Sequence, residues 1–285
     1  MNYIEVQGLT KTYNTFKLDH ASMILPKGYI MGFIGENGAG KTTFLRTMLK
    51  LTNREEGTIH LLGKDMDTDE IDIKQEISFM SGDAIFYPKS KLSSITKSFS
   101  LFYKNWDNNL YQKYLQDFKI DENKRINELS QGMRIKYNLA LALSHQAKLL
   151  ILDEPTSGLD PVAREMLLEV FQSIVENGDV SILFSTHITS DLEKCADYIT
   201  MIQNGKILMT STKDDLIDSF FVVSGGTSQL DKIQSKLVSF KSNSLGFTGL
   251  ISSKEIDYLE GYNIKKPTLD DLIIYHSTYR GAHHD

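Results

Sequence analysis

The sequence predicts an α/β fold built on a largely parallel sheet, with an inserted helical subdomain and a small C-terminal α+β extension. Three observations carry this. Ile30-Met31-Gly32-Phe33-Ile34 and Leu149-Leu150-Ile151-Leu152 are compact apolar runs, the pattern of strands buried on both faces. Segments with apolar residues at helical spacing alternate with such runs, which places helices on a mostly parallel sheet. From about residue 86 to 145 helical periodicity takes over, as an insert would show.

Taken in chain order, Tyr3–Val6 and Lys17–Leu25 read as strands ahead of the buried strand Ile30–Ile34. Lys41–Leu51 follows as a helix, with Phe44, Leu45, Met48 and Leu49 on one side. Gly57–Leu62 is a strand closed by a turn at Gly63-Lys64-Asp65. In the insert, Leu110, Tyr114 and Phe118 stand at helical spacing, flanked by Tyr111 and Leu115. Ser130 is an N-cap for a helix carrying Ile135, Leu139 and Leu143. After the strand Leu149–Leu152 come a helix at Val162–Val175, a strand at Ser181–Ser185 and a short helix at Ser190–Ala196. Ile199–Ile202 and Lys206–Met209 flank Gln203-Asn204-Gly205, an Asn-Gly hairpin signal. Beyond about 216, Phe220–Val223 is a strand, Gly225-Gly226 a turn, Leu230–Val238 a helix and Pro267–Tyr275 a last amphipathic helix.

Composition narrows the function. The net charge is −6 and no dense Lys/Arg run occurs, so nucleic acid is not the expected partner. Cys195 is the single cysteine, which excludes an intrachain disulfide and suits a reducing compartment. Met1-Asn2-Tyr3-Ile4-Glu5 lacks the basic-then-apolar layout of a signal peptide. The apolar runs fall far short of the roughly 20 residues of a spanning helix, so a membrane role is expected to come through a partner.

Two motifs carry chemistry. Gly35-Glu36-Asn37-Gly38-Ala39-Gly40-Lys41-Thr42 fits the phosphate-loop pattern between a strand and a helix, which makes the core that of a P-loop NTPase. Its glycines let backbone N–H groups turn toward phosphate oxygens, and the helix that follows points its positive end there. Lys41 is expected on the β- and γ-phosphates, Thr42 on Mg²⁺ and Thr43 on the α-phosphate. In the second motif the strand Leu149–Leu152 ends in Asp153-Glu154. Asp153 is placed to hold Mg²⁺, and Glu154 to orient and deprotonate a water.

Further residues resemble those of ABC transporter ATPases. Leu129-Ser130-Gln131-Gly132-Met133 resembles that family's signature, Ser157-Gly158-Leu159-Asp160 its D-loop, His187 its switch histidine, and Tyr13 its adenine-stacking aromatic. The order along about residues 3–215 is also the family's. The resemblance implies an N-terminal antiparallel β subdomain and an ATPase domain at 1–215, with an extension at 216–285. It also implies Mg²⁺-dependent ATP hydrolysis by a homodimer or heterodimer closing head to tail. Ser130, Gln131 and Gly132 of one chain then face the ATP held by the other, and Asp160 organises contacts between them. A separate transmembrane permease is the further partner, and the location is the cytoplasmic face of the plasma membrane.

Phe102–Asp107 and Leu129–Arg134 resemble the exporter ATPases of Gram-positive bacteria that serve antibiotic or amphipathic-peptide efflux, the phenol-soluble-modulin exporters included. The chain departs from the family at Gly82, where a Mg²⁺-binding glutamine is usual; the adjacent Asp83 is an alternative metal ligand. Gly82 also motivates a second expectation, a nucleotide-gated binding module with little turnover. Gln131 and Met133 stand where glycine and glutamine are commonest.

Overall fold

The computed structural model describes residues 1–81 and 87–278. Gly82 and Asp83 lie outside the described residues. The chain divides into two compact units, one running from Met1 to Thr210 and the other from Ser211 onward.

The first unit opens with β1 (Asn2–Tyr13), β2 (Phe16–Pro26), β3 (Ile30–Ile34), α1 (Lys41–Met48), β4 (Glu56–Leu61) and β5 (Lys64–Asp65). Strands β1, β2, β4 and β5 form an antiparallel sheet in the order β2-β1-β4-β5. Lys64-Asp65, expected as a turn, pairs instead with His60-Leu61. The reversal sits at Leu62-Gly63, both with positive φ, because a two-residue turn of this hand matches strand twist.

The chain continues through α2 (Glu70–Glu76), β6 (Ile77–Ser81), α3 (Leu92–Ser100), α4 (Asn108–Asp117) and α5 (Gln131–Ser144). It then runs through β7 (Leu149–Asp153), α6 (Pro161–Val175), β8 (Ser181–Thr186), α7 (Thr189–Cys195), β9 (Tyr198–Gln203) and β10 (Lys206–Thr212). A second sheet has the order β10-β9-β3-β8-β7-β6. Strand β3 is parallel to β8 and β9, and β7 is parallel to β6 and β8. Every residue of β3, β7 and β8 is buried, as continuous apolar runs require. Asn204 and Gly205 both have positive φ and join β9 to β10 by the expected hairpin.

Helices α3 to α5 share their own core, in which Leu92, Tyr111, Leu115, Tyr137 and Leu141 are buried. On α4 the buried pair is Tyr111 and Leu115, while Leu110, Tyr114 and Phe118 are half-buried. Tyr111 and Tyr137 each place a phenol 2.8 Å from the Thr96 hydroxyl, so the polar ends of these rings are satisfied inside the insert. Trp106 packs on the same cluster.

The second unit contains α8 (Lys213–Asp218), β11 (Phe220–Gly225), α9 (Thr227–Ile233), β12 (Leu237–Asn243), β13 (Gly246–Ser252), β14 (Asn263–Lys265) and α10 (Leu269–Thr278). Its four-stranded sheet is antiparallel in the order β12-β13-β11-β14. The helix expected over Leu230–Val238 ends at Ile233, and Leu237 starts a strand. Pairing of that strand with β13 overrides a local pattern that is ambiguous in so short an apolar segment.

Candidate nucleotide site

The register of the parallel sheet brings the motif residues level. Ile34 lies beside Thr186, and Asp153 beside Ser185. The glycine loop after β3, Glu154 after β7 and His187 after β8 therefore emerge at one edge of the sheet, the carboxyl ends of its strands. Open α/β sheets bind ligands at that edge.

The loop has the conformation a phosphate cradle needs. Gly38 and Gly40 have φ of 83° and 110°, and Gly40 caps α1. A Cβ on Gly40 would lie 2.6 Å from Phe16 Cζ, so a side chain there would strain the backbone and displace the Phe16 ring. The Ala39 carbonyl accepts from Gly205 N at 2.9 Å, tying the loop to the β9–β10 hairpin. Gly35, Asn37 and Thr43 complete the loop and the first turn of α1; Asn37 and Thr42 are exposed, whereas Ala39 is buried.

Lys41 is buried, with 6% of its side chain exposed. Its Nζ donates to Gly35 O at 2.7 Å and Glu36 O at 3.2 Å, and lies 3.2 Å from Glu154 Oε1. The other carboxylate oxygen of Glu154, Oε2, is 2.9 Å from His187 Nδ1. Thr42 Oγ1 donates to Asp153 Oδ2 at 2.8 Å. Ser185 Oγ donates to Asp153 Oδ1 at 2.6 Å and accepts from Glu154 N at 2.8 Å. Glu154 itself has φ of 53°, a conformation sparsely populated outside glycine and held here by that bond. Lys41, the Thr42 hydroxyl, both acids and the histidine are thus one connected network.

The remaining sequence candidates fall nearby or apart. A cavity of about 220 Å³ is lined by Phe16, Asn37, Gly38, Gly40, Lys41, Thr42, Thr43 and Glu154. Tyr13 is not among its lining residues; it ends β1 with 45% exposure, and Lys11 Nζ lies 5.6 Å from its ring centre. Phe16, its partner across the β1–β2 turn, lines the cavity. Ser130 caps α5, its Oγ accepting from Met133 N at 3.3 Å. Asp160 caps α6, accepting from Val162 N and Ala163 N at 3.0 Å each. Gln131 Nε2 donates to Ser157 O at 2.5 Å, linking the start of α5 to the loop before Asp160. Gly132 follows Gln131 in the first turn of α5.

Sequence reasoning missed Phe16, Thr156, Ser185 and Asp191. A hydroxyl at a fully buried strand position, as at Ser185, is a signal that a polar partner waits across the sheet. Asp191 stands on α7 beside Leu192 and one turn before Cys195, all three buried, so an acid on a buried helix face was the corresponding signal there.

The residues present suit a nucleoside triphosphate with a divalent ion. A buried ammonium and a backbone cradle match phosphate, and the Thr42 hydroxyl beside the Asp153 carboxylate offers oxygen donors of the kind Mg²⁺ takes alongside phosphate oxygens.

Fold and site together define a P-loop nucleotide-binding protein. The ABC transporter family model matches residues 18–157. Over 210 residues the chain is 31% identical to the bacitracin transport ATP-binding protein BcrA of Bacillus licheniformis, covering 72% of this chain and 68% of that one. It is 29% identical over 294 residues to the uncharacterized ABC transporter ATP-binding protein YhaQ of Bacillus subtilis, covering 95% and 97%. Among solved structures, the ATP-binding subunit of an ABC transporter superposes with a TM-score of 0.67 at 25% identity, over 75% of this chain and 91% of that one. The chain belongs to the ATP-binding proteins of ABC transporters, the ABC ATPases.

Proposed function

We propose that residues 1–215 hydrolyse ATP with Mg²⁺ to drive export through a separate transmembrane subunit, at the cytoplasmic face of the plasma membrane. The observation that carries this is the Glu154 carboxylate held between Lys41 Nζ at 3.2 Å and His187 Nδ1 at 2.9 Å. A carboxylate fixed at the mouth of a phosphate cradle is placed to act on a water aimed at the γ-phosphorus. Lys41 and the loop N–H groups bind the β- and γ-phosphates, and Phe16 packs against the loop from the side of the β1–β2 hairpin. Thr42 and Asp153 would hold Mg²⁺, which supplies charge neutralisation at the phosphates. Glu154 orients the water and takes its proton. His187, bonded to the far oxygen of Glu154, keeps that carboxylate aimed.

Two chains, identical or paired with a second ATPase subunit, close head to tail in this reading. Ser130, Gln131 and Gly132 stand at the start of α5, whose positive end suits a phosphate presented by the partner. Among the described residues no helix is long and apolar enough to cross a membrane, so the transport path is assigned to the separate subunit. The similarity to BcrA, a bacitracin transport protein, supports antibiotics or amphipathic peptides as cargo.

The test is ATP turnover by the purified chain with its membrane subunit, with and without Mg²⁺. Glu154→Gln is expected to lower turnover about 10²-fold or more while ATP still binds. Turnover at the parent rate in that variant would remove Glu154 from the role.

A further inference from the structure

Asp191 is a carboxylate buried where the catalytic segments converge, with 1% of its surface exposed. It stands on α7, the helix that follows His187. Its Oδ2 accepts from Thr156 Oγ1 at 2.6 Å, and Thr156 is fully buried just beyond Glu154. Its Oδ1 lies 3.9 Å from Arg164 Nε on α6, the helix capped by Asp160. One side chain therefore touches the segment after Glu154 and the helix after the D-loop, and rides on the helix after His187.

Short local bonds transmit that placement to the reacting groups. Asp191 N donates to Ile188 O at 3.3 Å, and Ile188 N to Thr186 Oγ1 at 3.0 Å, which leaves His187 on a pinned turn. On the other side Ser157 N donates to Glu154 O at 3.2 Å, and Leu159 N to Thr156 O at 3.3 Å. Burying a carboxylate is costly, and its loss of water pushes the Asp191 pKa above the ordinary value. An apolar residue would fill the same place without that cost, but it would not hold Thr156.

We propose that Asp191 is a positioning residue for ATP hydrolysis: through Thr156 and Arg164 it fixes the distance between the segments that carry Glu154 and His187. The proposal rests on the hydrolytic reading of the site. It assigns no contact with nucleotide to Asp191; the residue acts through the Glu154–His187 pair.

The experiment compares Asp191→Ala, Asp191→Asn and Thr156→Val in the full chain, using MgATP for turnover and a fluorescent ATP analogue for binding. Asp191→Ala and Thr156→Val are expected to lower kcat about tenfold, the scale of a small misplacement of catalytic groups, with KM and analogue affinity within about twofold. Asp191→Asn, which keeps an oxygen acceptor for Thr156, falls between them and the parent. In a His187→Ala background none of the three lowers kcat further, because the geometry they protect is already gone. Should Asp191→Ala fail to fold, Thr156→Val probes the same bond from its other end at nearly constant volume. Unchanged kcat, a matching loss of analogue binding, or a full additional loss in the His187→Ala background overturns the assignment. If the parent chain shows no turnover even when assembled with its ATPase partner and membrane subunit, the hydrolytic reading has failed by itself. Asp191 is then judged from ¹⁵N-histidine spectra, with the His187 signal identified by its loss in His187→Ala. A shifted His187 signal in Thr156→Val upholds the positioning role and an unshifted one overturns it.

Discussion

Lys41 Nζ lies 3.2 Å from Glu154 Oε1, which makes the lysine of the glycine loop and the acid after β7 an ion pair. A γ-phosphate bound at Lys41, as proposed, would compete with that carboxylate for the same ammonium. Glu154→Gln removes the competing charge while keeping the shape. It is expected to tighten ATP binding by about threefold to tenfold, the scale of a partly exposed pair, even as turnover falls. Lys41→Ala is expected to weaken binding by more than about 10²-fold, because a hydrogen-bonded charge contact is lost inside a buried cradle. Equilibrium titration with a non-hydrolysable ATP analogue checks both. Equal affinity for parent and Glu154→Gln would show that the pair does not oppose phosphate.

Ser185 ties the two acids together from the neighbouring strand. Its hydroxyl donates to Asp153 and accepts from the Glu154 backbone. Ser185→Ala strands a buried carboxylate oxygen and a backbone N–H, a loss of about 1–3 kcal/mol. The Glu154 backbone, at positive φ, loses the bond that holds it. Chemical denaturation should register the stability loss, and the Mg²⁺ concentration for half-maximal turnover should rise. A variant with parent stability and parent Mg²⁺ dependence would mean the hydroxyl is dispensable.

Gln131 departs from the glycine commonest at its position in the family, and its side chain bridges α5 to Ser157 O. The bond stays within one chain and holds the start of α5 against the loop before Asp160. Gln131→Ala is expected to change the stability of the isolated chain by less than about 1 kcal/mol, since both ends can turn to water. ATP-dependent association of two chains is expected to weaken by about threefold to tenfold, the equivalent of one hydrogen bond, because the two elements no longer move as one. Analytical ultracentrifugation of a Glu154→Gln background with ATP measures this. Association as tight as in the Glu154→Gln parent would assign the bond no part in assembly.

The sequence was most legible where function fixes local conformation. Gly38 and Gly40 announce positive φ, Asn204-Gly205 a two-residue hairpin, and Asp153-Glu154 the end of a buried strand. Each is a short-range requirement that a few residues meet. Ser185 and Asp191 were not legible because their partners, Asp153 and Thr156, are set by sheet register and helix packing rather than by spacing. Phe16 was not legible because its place against Gly40 is set by the β1–β2 hairpin rather than by a motif. In the second unit the apolar stretch Leu230–Val238 satisfied a helical pattern over its first half only. Pairing of Leu237–Asn243 with β13 decided the rest.

His145 caps the C-terminal end of α5 and is buried, stacked on Tyr103 with ring centres 3.8 Å apart. Burial penalises the imidazolium and lowers its pKa to about 4. An unfolded chain protonates this histidine at the ordinary value of about 6.5, while the folded chain resists until far lower pH. Between those values the unfolded state binds the extra proton, so stability is intact above about pH 6.5 and falls as pH drops toward 4. The contribution from this one group is up to about 2 kcal/mol between pH 6.5 and 5, at about 1.4 kcal/mol per unit. His145→Phe keeps an aromatic face for Tyr103 and removes the titration. Chemical denaturation of both proteins across that range should show a steeper fall for the parent, with the difference vanishing above pH 7. Parallel curves would mean that His145 is as readily protonated in the folded insert as in water. The acid sensitivity would then belong to the carboxylates that pair elsewhere, such as Glu76 with Lys148 and Lys64, which hold its pKa below the ordinary value, so that its contribution is lost only at lower pH.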